Sequence, residues 1–164
     1  KSESRILPLN CMNIECLFYH KNNNKYLIAC KDQLINQESS LRHIFSLDKS
    51  NLSQPEIEFT IDLNEINTVF KKNYSGITAK IITLNPSSIS VHPITGDIYV
   101  LSASNRLLAI YEYNQLKNVY PLAEELFYKP EGISFGKNGD MFISTEGNKK
   151  GYVGGQIHYF KWKN

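Results

Sequence analysis

The sequence has no apolar run approaching the roughly 18 residues that cross a bilayer as a helix; residues 26–30 form one of its longer runs. It also lacks an excess of charge, with 18 Lys and Arg against 16 Asp and Glu for a net +2. Such a balance leaves no electrostatic footprint for nucleic acid or an anionic membrane, and the basic ending Lys161-Trp162-Lys163 is too short to supply one. Neither an initiator Met nor the apolar core of a signal peptide opens the chain, so it reads as a mature or trimmed product. Cysteine is scarce: Cys11, Cys16 and Cys30 are irregularly spaced and form neither a disulfide framework nor a zinc site. Cys16 and Cys30 lie in apolar, strand-like runs that suit buried thiols, while Cys11 can pair with either in an oxidising compartment. The H-E-x-x-H, Walker A and dinucleotide-binding glycine patterns are missing too.

Aromatic residues are plentiful, with 10 Tyr and 8 Phe among 164 residues that are 41% hydrophobic. A chain of that size buries roughly 70% of its unfolded surface as one domain. Disordered, collagen-like and coiled-coil compositions are excluded.

The chain also repeats itself. Residues 13–32, 85–104 and 129–147 align, the third one residue shorter at its turn. Each begins with an alternating apolar run (Leu17/Tyr19, Ile89/Val91, Ile133/Phe135) and reverses at Asn24-Lys25, Gly96-Asp97 or Gly139-Asp140. These turns need positive φ or a side-chain-to-backbone bond. A more continuously apolar strand follows at 26–30, 98–101 and 141–143, and a third at 42–47, 106–111 and 156–160. The first two modules add a fourth, at 57–61 and 116–120. Four antiparallel strands in a module of roughly 40–50 residues are the signature of a β-propeller blade, and a sandwich has no reason to repeat in this way.

The expected fold is therefore all-β: three blade-equivalents of four antiparallel strands, part of a larger ring. Residues 1–12, which include Arg5-Ile-Leu-Pro-Leu9, read as the last strand of a preceding blade. Residues 13–63 form a blade, 64–84 a linker with a short helix, 85–122 a blade, and 123–164 a blade lacking its last strand. Apolar residues at 63, 66, 69 and 70 predict a two-turn helix over 63–70, and residues 123–127 a single turn. Residues 35–40 and 73–79 read as loops. Closed rings hold about 4–8 blades, so this arc leaves an apolar face open at each end. The missing blades come from the same chain or from a second copy joined head-to-tail.

The runs Pro86-Ser-Ser-Ile-Ser-Val-His-Pro and Lys129-Pro-Glu-Gly-Ile-Ser-Phe-Gly, with Asn13-Ile-Glu-Cys and Leu27-Ile-Ala-Cys-Lys-Asp, resemble the SdiA-regulated (YjiK-like) family within a broader NHL-like group. The likeness covers residues 13–164 and is weakest over 33–80. Cys16 stands where that family usually has Gly. The resemblance implies a six-bladed propeller, often exported to the periplasm or cell envelope of Gram-negative bacteria, with no established enzymatic activity.

In a propeller the first strand of each blade lines the axial channel. The repeat places Glu15, Ser87 and Glu131 at one position there, Lys31, Ala103 and Glu146 at a second, and Asp32, Ser104 and Gly147 at a third. The candidate ligand-binding set is thus Glu15, Lys31, Asp32, Ser87, Ser104, Glu131 and Glu146. Carboxylates with hydroxyl and backbone oxygens suit Ca²⁺, for which Glu15, Glu131 and Glu146 are the candidate ligands. Otherwise Glu15 and Glu131 are clasps to backbone amides of neighbouring blades.

No catalytic residue is assigned. Gly132-Ile-Ser134-Phe-Gly136 fits G-x-S-x-G, but that motif needs a strand-to-helix turn and Ser134 is expected mid-strand. His20 and His92 share a repeat position suited to capping a turn, His43 and His158 fall at half-exposed positions of third strands, and the Gly151–Gly155 loop lacks the following helix of a phosphate cradle. The function expected is a non-enzymatic scaffold for a small ligand or protein partner, with nucleic acid excluded. The alternative is a Ca²⁺-dependent lactonase-type hydrolase, which needs a general base and more inward carboxylates than this chain offers.

Overall fold

A computed structural model describes residues 4, 6–76, 81–147 and 154–163. Three antiparallel sheets follow one another along the chain. The first holds β1 (Ile14–His20), β2 (Lys25–Cys30), β3 (Leu41–Asp48) and β4 (Asn51–Asp62) in sequential order. Helix α1 (Leu63–Asn73) leads to the second sheet, β5 (Pro86–Val91), β6 (Ile98–Ser102), β7 (Leu107–Glu112) and β8 (Gln115–Pro121). The third comprises β9 (Pro130–Phe135), β10 (Met141–Thr145) and β11 (Gln156–Phe160), with β10 in the middle. The strands expected from the repeats are all present, and β4 starts six residues earlier than its apolar core.

The turns form as their residues dictate. Asn24, Gly96 and Gly139 take φ of 54°, 77° and 88°. Gly139 has a second reason to be glycine, because a Cβ there would sit 2.9 Å from Trp162 Cγ. The helix extends a turn beyond the expected two: the Asp62 carboxylate caps it by accepting from Asn64 N–H at 2.8 Å, and Leu63, Ile66 and Phe70 are buried. Asn67 then clips the linker, exchanging side-chain hydrogen bonds with Ile82 N–H and C=O at 2.9 and 2.8 Å.

The sheets pack face to face in sequence, each on the next. Between the first two lies the largest apolar cluster, including Cys16, Leu27, Ile44, Phe59, Ile89, Val100 and Tyr111. Leu101, Leu108, Phe127, Ile133 and Ile143 fill the space between the second and third. Inner strands are neighbours: Ser88 Oγ of β5 accepts from Ile133 N–H of β9 at 3.1 Å. These sheets are consecutive blades of a β-propeller, not the two facing layers of a sandwich.

The N-terminal segment departs from expectation. Residues 6–11 form no strand, and Leu9 N–H turns back to Leu7 C=O at 3.0 Å; Arg5 lies outside the described residues. Leu9 instead packs on the open face of the first blade, against Ile28, Cys30, Leu34, Phe45 and Leu47. A Cys11–Cys30 disulfide fastens it there, and Cys16 is the free cysteine. Strand alternation explains that choice, since Cys16 and Cys30 point to opposite faces of the sheet. Burial pushes the Cys16 thiol up to about 12, with Glu15 and then Glu131 adding to the shift.

One device recurs where each hairpin reverses. In the second blade the buried Asp97 accepts from Lys117 of β8 at 3.3 Å. In the third, Asp140 accepts from Trp162 N–H at 2.8 Å, Tyr159 O–H at 2.9 Å and Asn138 Nδ2 at 2.7 Å. In the first, the equivalent residue is Lys25, which faces Glu58 of β4 at 3.5 Å. The same clasp from hairpin to outer chain is built three times, once with its charges reversed.

Candidate functional site

The starts of the inner strands and the ends of their partners meet at one mouth of the arc. Equivalent backbone bonds close it in the first and third blades: Lys31 N–H to Asn13 C=O at 2.9 Å and Glu146 N–H to Lys129 C=O at 3.1 Å. Each closure carries an ion pair, Lys31–Glu15 at 2.7 Å and Lys129–Glu146 at 3.1 Å. Glu131 stands with them as an exposed carboxylate that makes no ion pair among the described residues. Partial burial pushes its carboxyl above the usual range; Glu15 and Glu146 add repulsion, which Lys31 and Lys129 oppose. Asp32 is exposed nearby, in the field of Lys31 and of the buried Arg42.

Glu15, Lys31, Glu131 and Glu146 lie within electrostatic reach of one another, with Asp32 beside Lys31, whereas Ser87 does not offer its hydroxyl to the channel. It is 4% exposed and donates to the Pro130 carbonyl at 3.0 Å, with the Leu101 carbonyl at 3.3 Å. Packing of β5 against β9 turns it into an inter-blade fastener. Ser104 is exposed, and its hydroxyl lies 3.4 Å from that of Ser102.

The calcium arrangement expected from Glu15, Glu131 and Glu146 is not assembled. Among the described residues no three His, Cys, Asp or Glu side chains converge closely enough to hold a metal ion. The reason is local pairing: two of the three carboxylates already face a lysine ammonium of their own blade. Lys31 follows from the repeat alignment. Lys129 was missed because it lies ahead of its strand, although its match with Asn13 in the alignment places it at the mouth.

The serine of G-x-S-x-G lies within β9, paired with Phe142 of β10, far from any strand-to-helix turn. His92 caps its turn, Nδ1 accepting from Thr95 N–H at 3.1 Å and Ile94 N–H at 3.4 Å, whereas His20 makes no such bond. His43 is buried, not half-exposed, held by Thr60 at 3.0 Å and Gln37 at 3.3 Å. His158 leans on Phe127 with ring centroids 4.5 Å apart. Residues 151–153 of the Gly151–Gly155 loop lie outside the described residues. No described helix is long and apolar enough to cross a membrane.

No family model and no curated protein sequence matches the chain. Among solved structures, a luciferin-regenerating enzyme aligns at TM-score 0.52 and 13% identity, over 91% of this chain and 45% of that one. A protein of unknown function from Bacteroides caccae aligns at 0.49 and 14%, over 84% of this chain and 39% of that one. Virginiamycin B lyase from Staphylococcus aureus gives 0.45 and 12%, over 93% and 42%. The first likeness shows the fold, a β-propeller. The chain spans less than half the length of each of the three.

Proposed function

We propose that the protein is a non-enzymatic propeller of the SdiA-regulated type that binds a ligand or partner through the mouth built by Glu15, Lys31, Asp32, Lys129, Glu131 and Glu146. The observation that carries this reading is Glu131. It is a carboxylate with a raised proton affinity, unpaired between two lysine–glutamate pairs. Four carboxylates against two ammonium groups, with the buried Arg42 guanidinium beside Asp32, still favour a cationic occupant, an amine or a basic side chain, that would relieve the crowding of negative charge. The Cys11–Cys30 bond supports an oxidising compartment such as the periplasm or cell envelope. The two open blade faces support further blades, from the same chain or a second copy. A lactonase-type hydrolase draws no support from the mouth, whose carboxylates do not form one ligand set.

Thermal shift with spermidine, a lysine-rich peptide and Ca²⁺, alongside a lactone and ester hydrolysis screen, tests the reading. Stabilisation by the organic cations is expected in the wild type and is lost in Glu131→Gln, with no turnover. Turnover that depends on Ca²⁺ and disappears in Glu131→Gln would replace the scaffold by the hydrolase.

A further inference from the structure

The opposite end of the inner strands carries a second, differently charged site. Its three hairpin turns enclose a groove of about 430 Å³, within the range of small-molecule pockets. Phe18, Val91 and Phe135 give it an apolar wall, one residue from each blade. Lys21 and Lys137 line it from either side. They occupy the same repeat position, one or two residues beyond the end of the inner strand, and Pro93 holds that position in the blade between.

The charge balance here is one-sided. No carboxylate lines the groove. Acids near the turns are engaged elsewhere: Glu58 by Lys25, Asp48 by Ser50, Asp97 and Glu112 by Lys117, and Asp140 by its three donors. Lys21 and Lys137 make no ion pair among the described residues, whereas both lysines at the other mouth are paired. His20 adds no charge near neutrality, because desolvation lowers its proton affinity more than Glu58 raises it. Two free ammonium groups at matched positions above an aromatic and aliphatic wall call for an occupant with an anionic head and an apolar body.

We propose that this groove binds a small organic anion, a carboxylate or sulfonate on an aromatic or apolar frame, with Lys21 and Lys137 holding the charged group and Phe18, Val91 and Phe135 the body. The site is independent of the acidic mouth and of whatever occupies it.

The test uses two fluorescent dyes that share an aromatic body. 8-Anilinonaphthalene-1-sulfonate carries the anion and N-phenyl-1-naphthylamine lacks it. Reversing both charges in Lys21→Glu/Lys137→Glu should weaken the sulfonate about tenfold or more and change the neutral dye less than about twofold. Lys129→Glu, at the other mouth, should leave both dyes unaffected. Equal affinity for the sulfonate in wild type and double variant would overturn the proposal, as would equal loss of both dyes. So would loss of sulfonate binding in Leu17→Ser or Ile157→Ser, which alter the open blade faces. Should the charge-reversed protein fail to fold by circular dichroism, Lys21→Gln/Lys137→Gln takes its place: sulfonate affinity should fall with salt in the wild type and much less in that variant. Salt-independent binding by the wild type refutes the site.

Discussion

Tyr111 gains from its ring and loses from its hydroxyl. The ring is 1% exposed and packs on Phe59 across the first blade interface at 4.8 Å. The oxygen is buried without a hydrogen-bond partner, and burial, followed by the fields of Glu65 and Asp62, drives the phenol's proton affinity up. An unsatisfied buried hydroxyl costs about 1–3 kcal/mol. Tyr111→Phe keeps the packing and removes that cost, so thermal denaturation should show a gain of about 1 kcal/mol, or about 2–4 °C in a domain of this size. At this scale the sequence is readable where backbone geometry dictates the residue, as at Asn24, Gly96 and Gly139. Side chains that answer to a neighbouring blade are less so. Ser87 resembles a channel-lining hydroxyl until the Pro130 carbonyl of β9 accepts its hydrogen bond, and Cys11 has no stated partner until the N-terminal segment folds onto one face of the first sheet.

Among elements, the clasps at the hairpins decide how firmly each blade's outer chain is held. Asp140 binds both β11 and the segment beyond it, and its bonds to Trp162 N–H, Tyr159 and Asn138 depress its proton affinity below the ordinary carboxylate value. A depressed carboxylate stabilises the fold fully above its unfolded pKa of about 3.9, and that contribution is lost as pH falls through the folded value. Amides of 157–160 should therefore exchange faster as the protein is acidified below about pH 4, after correction for intrinsic rates. In Asp140→Ala they should already exchange fast at neutral pH and respond little to acid. An unchanged pH profile in that variant would show that other groups hold β11. The strands themselves were legible because period-2 alternation and turn residues recur three times. Residues 6–9 form no strand; Leu9 lies instead on a face of the first sheet, a placement that alternation within the segment does not foretell.

For the whole molecule, three blades leave two faces without a neighbouring blade, the first of them partly covered by the N-terminal segment. One carries Leu17, 72% exposed, with Tyr19 and Ile57, and the other carries Ile157, 75% exposed, with Tyr159. Blades already pack by such faces within this chain, so a further three-blade unit should seat on them. If a second copy supplies it, light scattering will show a dimer that Leu17→Asp or Ile157→Asp converts to monomer. A monomer in the wild type at high concentration would leave the covering blades to the same polypeptide. The radial arrangement was legible from the repeat alone, because matched segments with matched turns have few ways to bury one face each. How the mouth's charges pair was not, for pairing depends on distances that an alignment lacks. The reversed clasp has a consequence for assembly. Repeats this alike risk exchanging outer strands during folding, yet the first hairpin meeting the second blade's outer strand would set Lys25 against Lys117, and the reciprocal error Asp97 against Glu58. Like charges thus act as an address label, rejecting the wrong neighbour before the rest of the strand can zip.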